Sequence, residues 1–342
     1  MYSTFRRVVR GVLVTGYLLT LLIVVPSVWG VAPPAGAQVD PPPASSPVLA
    51  YTLASRDGGV YAFGAARFYG SLPSERIIPT RPIVGVTITA HDAGYWLVAA
   101  DGGIFAFGNA DFYGSTGGHP LHSSIVSMAA TPDGHGYWEV AADGGIFAFG
   151  DASFYGSTGS TSLARPMVGI SVTPDGHGYW EVAADGGIFA FGDAGFFGSM
   201  SGQPLADAVT GISSTPDGHG YWEVAADGGV FAFGDAGFYG AADPTTPQPG
   251  QTPSGGNGIG SNSGFFCSPE GSFFTSDADL GQAQTIVAGI QSTSDGRGYY
   301  LFGTDSGIFA FGDARYQGSG EECLNAPSLN APLDGPAVGI AF

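Results

Sequence analysis

GYWEVAADGGIFAFGDASFYGS, residues 136–157, decides the fold, because the chain repeats it almost verbatim at 94–115, 178–199 and 220–241. Worn copies stand at 51–71 (YTLASRDGGVYAFGAARFYGS) and 299–319 (YYLFGTDSGIFAFGDARYQGS). The period is about 42 residues. Self-similarity of this length marks a repeat architecture, in which one small unit buries its apolar faces only by stacking on its neighbours.

One unit reads as four short strands, which the third copy places at 125–131, 136–142, 145–150 and 153–157. Turn chemistry separates them: Pro132-Asp133-Gly134, Asp143-Gly144-Gly145 and Gly150-Asp151-Ala152. Asp-Gly and Gly-Gly between β-branched and aromatic runs signal hairpins, because glycine tolerates positive φ. Tyr137 and Ala141 fall on one strand face, and Trp138, Val140 and Ala142 on the other. Both faces are apolar, which suits a sheet covered on both sides by other sheets.

Four strands in such a unit match the blade of a β-propeller. A β-solenoid has shorter coils and needs no hairpins, so the Asp-Gly turns favour the propeller. Asp57, Asp101, Asp143, Asp185, Asp227 and Asp305 mark equivalent hairpins, and the last gap is nearly two periods long. Within that gap GFFCSPEGSFF (264–274) reads as a decayed copy. The expectation is an all-β, seven-bladed β-propeller of four-stranded blades. The first copy lacks the strand seen as IVGV at 83–86 and MVGI at 167–170, and the chain ends on AVGIAF (337–342). The C-terminal strand is therefore expected to join the N-terminal blade and close the ring, which removes an open sheet edge.

The N-terminus reads as a targeting segment. Arg6, Arg7 and Arg10 precede an apolar run from Gly11 to Val25, and Ala35-Gly36-Ala37 supplies a small-residue cleavage site before Gln38. The other reading is an uncleaved anchor, since the apolar stretch runs on to Trp29. The organisation expected is a signal peptide at 1–37, a Pro-rich spacer at 38–48 and the propeller at 49–342. A low-complexity loop and the degenerate blade lie within 243–285. Cleavage would leave no membrane span and a secreted or cell-wall-associated chain.

Formal net charge is −19, and all ten basic residues are Arg. Residues 1–37 hold three of those Arg and no acidic residue, so the mature chain is more acidic still. Such a surface repels nucleic acid and anionic headgroups and favours a soluble monomer. Cys267 and Cys323 are an even pair, which in an oxidising compartment reads as one disulfide. Two unrelated thiols are the alternative.

Trp96, Trp138, Trp180 and Trp222 hold one position per copy. Repeated aromatic rings serve either as sugar-stacking platforms or as wedges between blades, and the mid-strand position suits the wedge. Asp133, Asp143 and Asp151, with their equivalents, would ring the two faces and invite Ca²⁺. No D-x-D-x-D-G loop is present, however, and Asp in such turns usually caps its own backbone. Glu139, Glu181 and Glu223 each follow a histidine (His135, His177, His219) by four residues. Four strand residues span roughly 13 Å, too far for a direct acid–base pair. G-x-S-x-G, H-E-x-x-H, P-loop and C-x-x-C signatures are absent.

The chain varies most between copies, at 72–82 (with Arg76 and Arg81), 116–124 (with His119 and His122), 158–165, 200–207, 241–263 and 320–335. A constant scaffold presenting different loops on one face is a common way to build a binding site. Trp96, Trp138, Trp180, Trp222, His119, His122, Arg76 and Arg81 are accordingly the candidate ligand contacts, with a glycan or an extracellular protein as the partner.

The repeat PDGHGYWEVAADGGIFAFGDAxFYGS resembles a propeller-type repeat of bacterial secreted and cell-envelope proteins, where it stands alone or beside wall-acting hydrolase domains. The resemblance covers 50–342 and implies a secreted propeller of binding or structural type. The alternative is a secreted hydrolase or lyase, Ca²⁺-dependent, with a central cleft. It would need carboxylates or histidines on the first strands, and IVGVTIT, IVSMAAT, MVGISVT and AVTGISST carry none. No catalytic residue and no resident cofactor are therefore expected.

Overall fold

The computed structural model describes residues 50–90, 92–242, 286–317 and 336–341. Every regular element among them is a strand. Five sheets follow one another along the chain. The first holds β3 (Ile83–Ile88), β4 (Gly94–Ala99) and β5 (Ile104–Gly108), and the second β6 (Ile125–Ala130), β7 (Gly136–Ala141) and β8 (Ile146–Gly150). The third holds β9 (Met167–Val172), β10 (Gly178–Ala183) and β11 (Ile188–Gly192). The fourth holds β12 (Val209–Ser214), β13 (Gly220–Ala225) and β14 (Val230–Gly234). The fifth holds β15 (Val287–Ser292), β16 (Gly298–Gly303) and β17 (Ile308–Gly312).

The sixth sheet joins the two ends of the chain. β1 (Ala50–Ser55) lies between β2 (Val60–Gly64) and β18 (Ala337–Ala341), with Leu53 opposite Ile340 and Tyr61. The C-terminal strand thus supplies the strand missing from the first copy. All six sheets are antiparallel and three-stranded.

Five of the six central strands are buried along their whole length, and β1 is buried from Tyr51 onward, as their two apolar faces require. The first strands are neighbours in the order β18, β3, β6, β9, β12, β15 and again β18. The junctions share one construction. Trp138 of β7 packs on Tyr179 of β10, ring centroids 5.8 Å apart, and Trp180 meets Tyr221 at the same distance. The Tyr179 hydroxyl donates to Gly156 O at 2.6 Å and accepts from Tyr155 N at 3.1 Å. Tyr137 and Tyr221 clasp Gly114 and Gly198 in the same way, each at 2.6 Å.

This clasp corrects the expected fourth strand. Ser153–Ser157 is not a strand, because its backbone groups are taken by side chains instead of a ladder. Trp138 Nε1 donates to Ser153 O at 2.8 Å, and Tyr179 holds Tyr155 N and Gly156 O. Gly156 also sits at φ +139°, a conformation that L side chains rarely adopt.

Seven blades are likewise not what the described residues form. The copy at 264–274 and both cysteines, Cys267 and Cys323, lie outside them, as do the signal segment, Ala37 and Gln38. Yet the fourth and fifth sheets meet as directly as any other pair. Trp222 lies 5.8 Å from Tyr299, whose hydroxyl binds Tyr239 N and Gly240 O. Gly296 packs on Pro216 as Gly218 packs on Pro174.

Tyr179→Phe removes both hydrogen bonds of one clasp and leaves Gly156 O and Tyr155 N without that partner. It is expected to destabilise the chain by about 1–3 kcal/mol in urea unfolding. Tyr155→Phe, whose hydroxyl makes only one bond, to Gly176 O, is expected to cost less.

Candidate functional site

Two ends of each sheet carry polar groups, and a third surface carries aromatic rings. At one end the turn between the first two strands meets the exit of the third. Asp133 Oδ1 accepts from Thr131 Oγ1 at 2.8 Å and from His135 N at 3.2 Å, and its Oδ2 lies 3.1 Å from His135 Nδ1. Asp151 brings a second carboxylate, so three potential ligand atoms fall within 4.8 Å of one another. Asp175, His177 and Asp193 repeat the group, as do Asp217, His219 and Asp235. In the fifth sheet Arg297 replaces the histidine and bonds Asp295 at 2.8 Å.

These contacts set the protonation. The Thr131 hydroxyl, then the His135 N–H, holds Asp133 well below the usual carboxylate range. The His177 side chain does the same for Asp175, and in return Asp175 raises His177 above 6.5. Asp217 is lowered to about 2, mainly by the Thr215 hydroxyl. Its neighbour Asp235 is pushed up, first by desolvation and then by Asp217 itself. Two carboxylates and an imidazole suit a transition metal better than Ca²⁺, which takes six to eight oxygens. The carboxylate geometry is already explained by the turn.

The tryptophans are not platforms. Trp96, Trp138, Trp180 and Trp222 are all 0% exposed, and their indole N–H groups donate to Asp111, Ser153, Gly195 and Gly237 carbonyls. No ring face is open to a ligand. They are wedges, placed by the strand alternation that puts Tyr137 on the opposite face.

A different aromatic set is exposed. Phe112, Phe154, Phe196 and Phe238 are 61–63% exposed, with Phe68 at 42% and Tyr316 at 38%. They share one repeat position, one per sheet, in the segment that replaces the fourth strand. Sequence reasoning missed them because it took that segment for a strand. The signal was the aromatic pair itself: Tyr155 packs on Tyr179 and Phe197 on Tyr221, each 5.7 Å away, and the ring before each is left outward.

Beside this belt lies an open groove of about 510 Å³, lined by Leu72, Glu75, Ile77, Ile104, Phe105, Phe107 and Phe112. Ile78 is 92% exposed at its rim. Arg76, at φ +58°, and Arg81 are exposed on the same loop. His119 and His122 are exposed on the following loop, where His119 N bonds Thr116 O at 3.0 Å. None of these four basic side chains joins a described ion pair.

The Glu/His pairing is also resolved. His135, His177 and His219 stand in exposed turns, whereas Glu139, Glu181 and Glu223 are fully buried between sheets. The structure separates them. No family model matches the chain, and no curated protein is significantly similar to it.

In a proton NMR titration His177 is expected to titrate above 6.5, with Asp175→Asn returning it towards that value. An unchanged titration in the Asn variant would break the assigned coupling.

Proposed function

We propose that the chain is an exported six-bladed propeller and a non-enzymatic binding module, holding an uncharged polysaccharide of the cell envelope along its belt of exposed aromatic rings. The observation that carries this reading is the belt itself. Six rings occupy one equivalent position, and four of them are more than 60% exposed. Leaving a large ring in water at every repeat gains nothing for folding, and the neighbouring position, half-buried in five of the six copies, supplies the contact to the next sheet.

The propeller reading is supported by the neighbour order of the first strands, which returns to its start after six sheets. Export is supported by Arg6–Arg10, the apolar run to Val25 and the Ala35–Ala37 cleavage pattern. A net charge of −19 disfavours anionic polymers. One aromatic contact is worth only about 1 kcal/mol beyond its buried area. Several equivalent contacts on one repetitive chain add through effective concentration, so a periodic ligand suits a periodic surface. The first strands β3, β6, β9, β12, β15 and β18 hold no titratable side chain, so a central cleft offers no acid or base to an enzyme.

The groove beside Ile77 and Ile78 favours a second reading, a protein partner with an apolar anchor. The deciding experiment is co-sedimentation of residues 38–342 with insoluble envelope polysaccharides, alongside a glycan array. Replacing Phe112, Phe154, Phe196 and Phe238 by Ser is expected to lower polysaccharide binding more than tenfold with little change in melting temperature. Binding that survives the four substitutions would overturn the belt. Retention by protein alone, lost in Ile78→Asp, would establish the second reading.

A further inference from the structure

Three consecutive sheet junctions contain a carboxylate where the other three contain a leucine. Glu139, Glu181 and Glu223 lie at the middle of β7, β10 and β13, on the face turned to the preceding sheet, and are 0% exposed. Leu97, Leu301 and Leu53 hold the same position in β4, β16 and β1, and are equally buried.

The surroundings of each glutamate are apolar or acidic. Within its own sheet Glu139 is flanked by Met128 and Phe147. From the preceding sheet it meets the Asp101-Gly102 hairpin and Thr116, whose hydroxyl donates to Oε2 at 2.6 Å. Glu181 lies between Ile170 and Phe189 and receives Thr158 Oγ1 at 2.9 Å. Glu223 lies between Ile212 and Phe231 and faces Met200, which has no hydroxyl to give. Oε1 of Glu139 and Glu181, and both oxygens of Glu223, have no hydrogen-bond partner. The charged or titratable groups acting on them are Asp101, Asp143 and Asp185 from the preceding hairpins, with Tyr137, Tyr179 and Tyr221 on their own strands. No cation is among them.

A carboxylate buried without a cation or a full set of donors is costly, and the group takes up a proton instead. We propose that Glu139, Glu181 and Glu223 form a proton-controlled set of junctions, closed firmly when the three carboxyls are protonated and loosened when they ionise. The direction of the shifts agrees. Burial, opposed by the Thr116 and Thr158 hydroxyls, pushes Glu139 and Glu181 from 4.5 to about 7. Burial, with no hydroxyl to oppose it, pushes Glu223 to about 8. Because the folded chain binds protons that the unfolded chain releases, the stabilisation is complete below pH 4.5 and is lost as pH rises through about 7 to 8.

The test is thermal unfolding of residues 38–342 from pH 5 to pH 8.5, with hydrogen exchange read at individual hairpins. The melting temperature of the parent is expected to fall by on the order of 10 °C over this range. The triple variant Glu139→Gln, Glu181→Gln, Glu223→Gln keeps every exposed Asp–His pair and is expected to lose most of that slope. Exchange at 99–103, 141–145 and 183–187 should rise with pH beyond intrinsic base catalysis, while exchange at 55–59 and 225–229 should not. Should Gln prevent folding, Thr158→Ala with Glu181→Leu reproduces the Ala242–Leu301 junction and should remove the slope at 141–145 alone. A parent melting temperature independent of pH, or an equal slope in the variants, overturns the proposal.

Discussion

The structure depends on how the outer segment of each sheet is held. A three-stranded sheet in a repeat array ends on an edge whose backbone groups need partners, and a fourth strand would be the usual way to supply them. Here the segment that follows the outer strand is held instead by a tyrosine hydroxyl from the next sheet. Tyr95, Tyr137, Tyr179, Tyr221 and Tyr299 each hold one N–H and one carbonyl of the preceding segment, and the Tyr51 hydroxyl accepts from Gln317 N. One side chain thus holds the outer segment and ties two sheets. The buried Trp–Tyr contact beneath it supplies apolar area, and the hydroxyl supplies register.

This double use explains which parts of the fold could be read from residues. Period, hairpins and the return of the C-terminal strand rest on local patterns: Asp-Gly turns, apolar faces and a missing VGI at the first copy. Those are visible in sequence. The fourth strand is not, since Ser153–Ser157 has strand-like composition and only the tertiary clasp makes it irregular. Blade number also turns on a tertiary contact. The copy at 264–274 looks like a unit, but whether a unit inserts is decided where Trp222 meets Tyr299, far apart in sequence.

The candidate site was legible in the same uneven way. Turn carboxylates were placed correctly because Asx chemistry is local, as the Thr131–Asp133–His135 bonds show. The aromatic belt was overlooked in favour of the tryptophans, which strand alternation sends inward. Phe154 and Tyr155 are adjacent and similar in hydropathy. What separates them is packing against the next sheet, since Phe197 takes the inner place against Tyr221 without any hydroxyl. A residue type that needs a partner points to where the partner is; a phenylalanine does not.

The distribution of glutamate and leucine follows the connectivity. The glutamates lie where successive sheets are joined by short loops, 116–124, 158–165 and 200–207. A junction loosened there remains tethered, so reclosing it costs little chain entropy. The leucines at 53 and 301 lie where that tether is missing or long. Leu53 sits at the seam where β18 joins β1, and Leu301 at the junction spanning residues 243–285. At those places adhesion has to come from the interface itself, and apolar burial gives it independently of pH. The third leucine, Leu97, adjoins the seam and packs with Leu72 in one apolar cluster. The three titratable junctions are thus consecutive along the chain and share its short connections.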